Sequence, residues 1–172
     1  MVPEFKKILF TTDLSKSARY AFDYAVSLAH RYGARITILH VMEEVSPAAS
    51  VHLRDFLGQE KWQQLEDSHK EEARQILIGK KREAMLIREA LGEFCDQAQK
   101  DLTEAEFTMD EIVVTRGNVV DEILNEAKER GCDLIVMGYH VRGRLEETFL
   151  GSTTRRVLRR SALPVMLVRL TE

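Results

Sequence analysis

The sequence predicts an α/β fold: an open five-stranded parallel sheet sandwiched by helices, with an enlarged helical segment after the second strand. Short apolar runs, typical of strands buried on both faces, alternate with amphipathic helical patterns along the 172 residues. Glycines and capping residues separate these segments. The first three segments form a β-α-β unit, which implies a right-handed crossover between parallel strands.

The first half of the chain supplies this opening unit. Residues 7–12 (KILFTT) predict a buried strand. Residues 13–15 (DLS) are of the types that form turns and cap the N-terminus of a helix. A helix is predicted over 18–32, because its apolar positions fall on one face. Gly33 is expected to end the helix in a left-handed conformation, and 36–41 (ITILHV) predict the second strand.

The second half repeats the same alternation. Asn118 is placed to cap a helix, and Gly131 to end it. The predicted elements, in order, are a strand over 111–114, a helix over 119–130, a strand over 134–137, a helix from about 152, and a strand over 165–168.

The middle of the chain is enlarged. We expect one domain over 1–172 that contains, at 43–105, a loop and a long helical insert. Residues 53–102 are rich in Glu, Lys, Arg, Gln, Ala and Leu, which favours helix. Gly58 and Gly79 are the candidate break points, so we expect a short helix, a break, and one or two long helices.

Polar and small residues follow three of the predicted strands, where an open α/β sheet binds its ligands. Asp13 could accept hydrogen bonds from ribose hydroxyls, and the backbone at Val41 could pair with a base edge. Phosphates would then lie against Gly138 and the helix N-terminus at Ser152. Taken alone, Asp13 and Ser152 are equally compatible with simple turn or N-cap roles. The candidate binding residues are Thr11, Thr12, Asp13, Val41, Gly138, His140, Arg142, Gly143, Gly151, Ser152 and Thr153.

The same residues carry a resemblance to the universal stress protein family. Its nucleotide-binding members contain Gly-x2-Gly-x9-Gly-[Ser/Thr] after the fourth strand, and this chain has Gly138, Gly151 and Ser152 at the matching positions. The motif is supported by 7–9 (KIL) leading to 13–15 (DLS), 39–41 (LHV), Gly117 before a helix, and 157–160 (VLRR) leading to 164–168 (PVMLV).

One position departs from the family motif. Val141 occupies the place of the second glycine, where a β-branched residue tolerates positive φ poorly and adds a Cβ on the phosphate side. Gly143 could restore freedom to this loop. Arg142 and Arg144 are suited either to phosphate contacts or to solvent.

The resemblance implies a Rossmann-like fold of the adenine nucleotide alpha hydrolase-like type that binds ATP, with magnesium, as a regulatory or protective module. It also implies a homodimer in which the last strand, Val165 to Leu170, pairs across a two-fold axis. The sequence shows no base that would position water, so we expect slow ATP hydrolysis at most. The alternative is a family member that binds no nucleotide and acts through protein–protein contacts, with the helical insert meeting an unknown partner.

Composition and spacing disfavour other classes. A net charge of −3 does not favour nucleic-acid binding, and no apolar run approaches the length of a membrane span. Since the chain runs directly into a strand, a cytoplasmic protein is expected. An adenylating or sulfur-transferring enzyme would carry a glycine- and serine-rich loop after the first strand, where this chain has 11–15 (TTDLS). Cys132 is expected to be a buried small hydrophobe, and His40 a packed or hydrogen-bonded strand residue rather than a catalyst. We identify no catalytic residues and no metal ligands.

Overall fold

The computed structural model describes residues 2–15, 18–43, 70–101, 106–140 and 150–170. Strands and helices alternate through these ranges. The elements are β1 (Lys7–Thr11), α1 (Ala18–Tyr32), β2 (Arg35–Glu43), α2 (Lys70–Asp101), β3 (Thr108–Gly117), α3 (Val119–Glu129), β4 (Leu134–His140), α4 (Ser152–Arg160) and β5 (Val165–Leu170).

The five strands form one parallel sheet in the order β3-β2-β1-β4-β5. β1 lies at the centre, with Ile8 paired to Ile36 of β2 on one side and to Leu134 of β4 on the other. The carboxylate of Asp133 accepts hydrogen bonds from the backbone N–H groups of Lys6 and Lys7, at 2.7 and 2.9 Å, and so holds the start of β1 beside the start of β4. The predicted fold class is therefore confirmed.

Helices α1 and α2 cover one face of the sheet. Phe22 of α1 is fully buried, and its ring centroid lies 5.1 Å from those of Phe10 and Phe94 and 5.5 Å from that of Phe107. These rings join β1, α1, α2 and the segment before β3. The aromatic cluster thus fixes the C-terminal part of α2 against the sheet through buried apolar area.

Helices α3 and α4 cover the opposite face. Ile123 of α3 and Val157 of α4 are buried against strand residues that alternate with those of the first core, among them Leu9 and Ile135. Because successive side chains in a strand point to opposite faces, each strand contributes to both cores. The result is a three-layer α/β/α arrangement.

The helix ends follow from the residues predicted to form them. Gly33 and Gly131 adopt left-handed φ values of 64° and 62°, directly after α1 and close after α3. The side chain of Asn118 accepts hydrogen bonds from the backbone N–H groups of Val120 and Asp121. The predicted helix 18–32 coincides with α1, and both glycine stops and the Asn118 cap are confirmed.

One expected helix break and several strand bounds need correction: β2, β3 and β5 run beyond the predicted 36–41, 111–114 and 165–168, as β4 does beyond 134–137. α2 runs without interruption through Gly79, where a break was expected. A single glycine costs only about 1 kcal/mol in a helix, and the surrounding Lys, Arg, Glu, Ala and Leu residues are strong helix formers. β4 continues to His140, three residues beyond the predicted end at 137, because β5 pairs with it throughout. Gly58 lies outside the described residues.

The Asn118 cap can be tested by comparing it with an asparagine inside the same helix. Asn118→Ala removes the acceptor of two backbone N–H groups and should lower the free energy of unfolding by about 1 kcal/mol. Asn125→Ala, an exposed position in α3, should instead raise it by about 0.5 kcal/mol, because alanine is the better helix former. Urea denaturation of both variants measures the difference; an equal effect of the two substitutions would contradict the capping role.

Candidate functional site

A cavity of about 820 Å³ opens at the carboxyl ends of β1, β2 and β4, beside the start of α4. From β1 the chain adds β2 and β3 on one side of the sheet and then β4 and β5 on the other. The cavity lies beside β1, where this strand order reverses. The cavity brings together eight of the predicted binding residues: Thr11, Thr12, Asp13, Val41, Gly138, Gly151, Ser152 and Thr153.

The turn after β1 is held by its own side chains. The N–H of Ser15 donates to Oδ1 of Asp13 at 2.9 Å, and the N–H of Leu14 donates to Oγ1 of Thr12 at 3.0 Å. Leu14 adopts a left-handed φ of 62°, which is rare for a bulky residue. Asp13 is therefore a turn residue, and it also lines the cavity.

His40 fixes this turn from the neighbouring strand. Its Nδ1 lies 2.9 Å from the backbone carbonyl of Thr12, and a carbonyl can only accept, so Nδ1 carries the proton and donates. The backbone N–H of Thr12 in turn donates to the carbonyl of Leu39 at 3.0 Å. The sequence expectation of a hydrogen-bonded histidine is confirmed, and β2 thereby sets the position of Thr12 and Asp13.

The N-terminus of α4 supplies backbone donors to the cavity. The first hydrogen bond of the helix runs from the N–H of Arg155 to the carbonyl of Gly151 at 3.1 Å. The N–H groups of residues 152–154 therefore have no acceptor in the regular hydrogen-bond pattern of the helix. Gly151 is the N-cap, and it has no side chain to accept from them. The N-cap role considered for Ser152 is therefore wrong, because Gly151, one residue earlier, occupies that position. These amides and the helix dipole make the end of α4 electropositive.

Gly138 has a packing reason to be glycine. A Cβ at this position would lie 2.6 Å from Cδ1 of Leu170, the last described residue of β5. The sequence argument assigned this glycine to close approach by a phosphate. The structure adds that the absence of a side chain leaves room for the buried side chain of Leu170, from the neighbouring parallel strand β5, at the edge of the cavity.

The phosphate-loop candidates of the sequence argument fall mostly outside the described part of the chain. Val141, Arg142 and Gly143 are not among the described residues. His140 is described as the last residue of β4, paired with Leu170, but its side chain is not.

The cavity also contains charged residues that the sequence argument did not select. Glu43 ends β2 and Arg155 lies one turn into α4. Arg155 belongs to the cluster of arginines near the end of the sequence, which is compatible with phosphate binding, with a partner or with simple solvation of a helix surface. Glu43 was missed because β2 runs two residues beyond its predicted end at 41, extended by pairing with β3.

The thiols lie away from this site. Cys95 and Cys132 are both buried, and desolvation raises the pKa of each to about 11. Both are therefore protonated at neutral pH and unsuited to nucleophilic or metal-binding roles. Within the described ranges no group of His, Cys, Asp and Glu side chains could hold a metal ion, and no helix is long and apolar enough to cross a membrane.

The fold and the cavity define a doubly wound α/β protein with a ligand crevice at its topological switch point. The family model described as the universal stress protein family matches residues 4–169 of the chain. The chain therefore belongs to the universal stress protein family.

Curated relatives span almost the same length. The chain is 27% identical over 169 residues to universal stress protein MJ0577 of Methanocaldococcus jannaschii, covering 96% of this chain and 95% of the relative. It is 31% identical over 166 residues to universal stress protein YxiE of Bacillus subtilis, covering 96% and 99%.

Solved structures share the architecture. A universal stress protein in complex with cAMP superimposes with a TM-score of 0.60 at 20% identity, covering 98% of this chain and 100% of the other. The universal stress protein from Archaeoglobus fulgidus in complex with dAMP gives a TM-score of 0.50 at 15% identity, covering 96% and 98%. At these identities the likeness establishes the fold.

The contact between Gly138 and Leu170 can be tested by a double-mutant cycle. Gly138→Ala should lower the free energy of unfolding by about 1–3 kcal/mol through overpacking, and most of this cost should vanish in a Leu170→Ala background. Gly92→Ala is the matched control: nothing lies within 4 Å of its added Cβ, and it should raise the stability by about 1 kcal/mol. Additive effects of the two core substitutions would contradict the contact.

Proposed function

We propose that this chain is a cytoplasmic universal stress protein that binds ATP in the crevice between β1 and β4 and acts as a nucleotide-responsive regulatory module. The observation that carries the proposal is that Asp13 and the first three residues of α4, 152–154, line one cavity. The first suits ribose hydroxyls and the second suits phosphate oxygens.

Each part of the nucleotide has a suitable group. The carboxylate of Asp13 accepts from the ribose hydroxyls while its turn hydrogen bond to Ser15 holds it in place. The backbone of Val41, at the end of β2, pairs with the edge of the base. The phosphates lie against the start of α4, where the N–H groups of residues 152–154 point out of the helix and Arg155 adds a positive charge.

The size of the cavity and the ligands of related proteins support an adenine nucleotide. About 820 Å³ falls within the usual range for small-molecule sites, roughly 300–1,000 Å³. Two family members of the same fold are described in complex with cAMP and with dAMP. Both ligands contain an adenine base, a sugar and a phosphate, which are the features that the crevice is suited to bind.

Magnesium would be held chiefly by the nucleotide. A Mg²⁺ ion bound with ATP takes most of its ligands from phosphate oxygens and water and needs only one or two protein carboxylates. Asp13 and Glu43, at the cavity wall, are the carboxylates of the described residues that could contribute. With magnesium the complex carries less negative charge, and the α4 amides and Arg155 stabilise what remains.

The chain also acts as a homodimer in this proposal. β5 is an edge strand of the described sheet and still contains apolar residues, with Val168 and Leu170 buried. The backbone N–H and C=O groups on the outer side of an edge strand can pair with another strand. A two-fold axis beside β5 would pair them with β5 of a second copy of the chain.

Equilibrium titration of the nucleotide-free protein with ATP and magnesium tests the proposal. We expect micromolar affinity for the native chain and about tenfold weaker binding for Asp13→Asn, which keeps the acceptor of the turn but loses the charge. Asp23→Asn, a helix surface change in α1, is the matched control and should bind as the native chain does. No detectable binding by the native chain would overturn the proposal, and equal loss in both variants would overturn the role of Asp13.

A second candidate function rests on Val141. Because this residue replaces the second motif glycine, the chain is also consistent with a family member that binds no nucleotide and acts through protein contacts alone.

The substitution Val141→Gly distinguishes these functions. Where a phosphate-binding loop requires a left-handed conformation, a non-glycine residue costs about 1–2 kcal/mol, so a glycine at such a position should tighten ATP binding by about tenfold. Val2→Gly, at an exposed N-terminal position, makes the same chemical change and should leave the affinity unchanged. If Val141→Gly binds ATP no better than the native chain, valine at this position is not what limits the affinity.

A further inference from the structure

His40 lies between the two segments that the proposed site uses for the nucleoside. It directly precedes Val41, whose backbone is proposed to pair with the base, and its ring contacts Thr12, which directly precedes Asp13. All four residues line the same cavity. One side chain therefore connects the segment proposed for the base to the turn proposed for the ribose.

Every polar atom of Thr12 is hydrogen-bonded. Its N–H donates to the carbonyl of Leu39 at 3.0 Å, and its Oγ1 accepts from the N–H of Leu14 at 3.0 Å. Its carbonyl oxygen lies 2.9 Å from Nδ1 of His40. Two of these three bonds come from consecutive residues of β2. The turn after β1 is therefore attached to β2 through both the N–H and the carbonyl of one residue.

The bond from His40 replaces the next step of the β1–β2 ladder. Thr11 lies beside Leu39 in the register of these parallel strands, so Thr12 is level with His40. In a parallel ladder a residue bonds to the two residues that flank the one beside it. The N–H of Thr12 follows this pattern with Leu39, and its carbonyl would follow it with the N–H of Val41. That carbonyl is instead bonded to the His40 side chain.

This replacement affects what Val41 can offer to a ligand. Alternate residues of a strand share one hydrogen-bonding edge, so the N–H of Val41 is on the same side of β2 as the carbonyl of Leu39, which faces β1. β1 ends at Thr11, and Val41 lines the cavity beyond that end. The ladder acceptor of Val41 is occupied by His40, which leaves the N–H of Val41 to pair with the edge of a base.

We propose that His40 is a positioning residue for the nucleoside. By donating from Nδ1 to the carbonyl of Thr12, it ends the β1–β2 ladder, leaves the N–H of Val41 to the base and holds Asp13 beside the ribose. The proposal rests on nucleotide binding in this crevice and names the residue that organises its nucleoside end. Groups that are fixed before the ligand arrives bind it without the cost of ordering them.

The role requires a proton on Nδ1 and does not require a charged ring. Because a carbonyl only accepts, neutral His40 is the Nδ1–H tautomer, and its Nε2 carries no proton. The charged imidazolium also has a proton on Nδ1, so the bond persists in both states. The feature to remove in an experiment is therefore the donor and not the charge.

Leucine and asparagine at position 40 separate the donor from the shape of the side chain. Both branch at Cγ and are similar in size, but only asparagine has an N–H, at the same number of bonds from the backbone as Nδ1. His40→Leu should weaken the binding of adenosine and of ATP about fivefold each, the usual net effect of one hydrogen bond. His40→Asn should bind both ligands within about twofold of the native affinity.

Calorimetric titration with ATP and NMR titration with adenosine measure these affinities. His30→Leu is the matched control, because Nδ1 of His30 lies 3.3 Å from the carbonyl of Glu106 on the surface; it should leave both affinities unchanged. Arg155→Gln should weaken the binding of ATP alone, since adenosine has no phosphate. Equal weakening of both ligands by His40→Leu therefore assigns the loss to the nucleoside end. Urea denaturation checks that each variant is folded.

Nitrogen-15 NMR of protein labelled at histidine gives an independent readout of the donor. At neutral pH the ring of His40 should carry its proton on Nδ1, both with and without ATP. A purely structural change elsewhere in the protein would not alter this tautomer.

The outcomes separate the positioning role from nucleotide binding itself. No binding of ATP by the native chain would overturn both. If the native chain binds ATP, the role of His40 alone is overturned by an unchanged affinity in His40→Leu, by weakening of ATP but not of adenosine in that variant, by equal weakening in His40→Asn, or by a proton on Nε2 in place of Nδ1. Binding of ATP without detectable binding of adenosine also overturns it, because the nucleoside would then contribute no affinity for His40 to organise.

Discussion

The parallel pairing of β1 with both β2 and β4 is the constraint on which the rest of the structure depends. β1 is short and buried on both faces, so it can only lie between two strands and beneath helices on both sides. Because the chain continues from β1 to β2 on one side and reaches β4 only after β3, the strand order reverses beside β1. The crevice at this reversal follows from the topology, before any polar residue is considered.

Polar chemistry then enters the crevice from segments that the sheet positions independently. The turn after β1 is held by hydrogen bonds from Leu14 and Ser15, and His40 of β2 fixes the carbonyl of Thr12. The start of α4 is positioned from the opposite face, where Val157 is buried against the sheet. Neither segment is a binding site by itself. Their separation is set by rigid strands, which is how a protein pre-organises groups for a ligand.

The turn after β1 also separates the crevice from a second cavity, an apolar groove of about 390 Å³ between this turn and α2. Thr12 and Ala18 line both cavities, and Leu14 reaches the groove from a left-handed backbone conformation. Strained backbone of this kind is retained where surrounding contacts determine it, and it is common at functional sites. One short turn therefore contributes Asp13 to the proposed nucleotide site and Leu14 to the wall of the groove.

The helices and strands, and the strand ends that meet at the crevice, could be predicted from the sequence because periodicity, caps and glycine stops act over only a few residues. α1 has the predicted bounds, and Gly33, Asn118 and Gly131 act as predicted. The contacts between distant segments could be found only in the folded structure. Pairing with neighbouring strands lengthened β2 and β4, and the approach of Leu170 gave Gly138 its packing role. Such contacts depend on where the chain returns to the sheet, and local patterns carry no information about that.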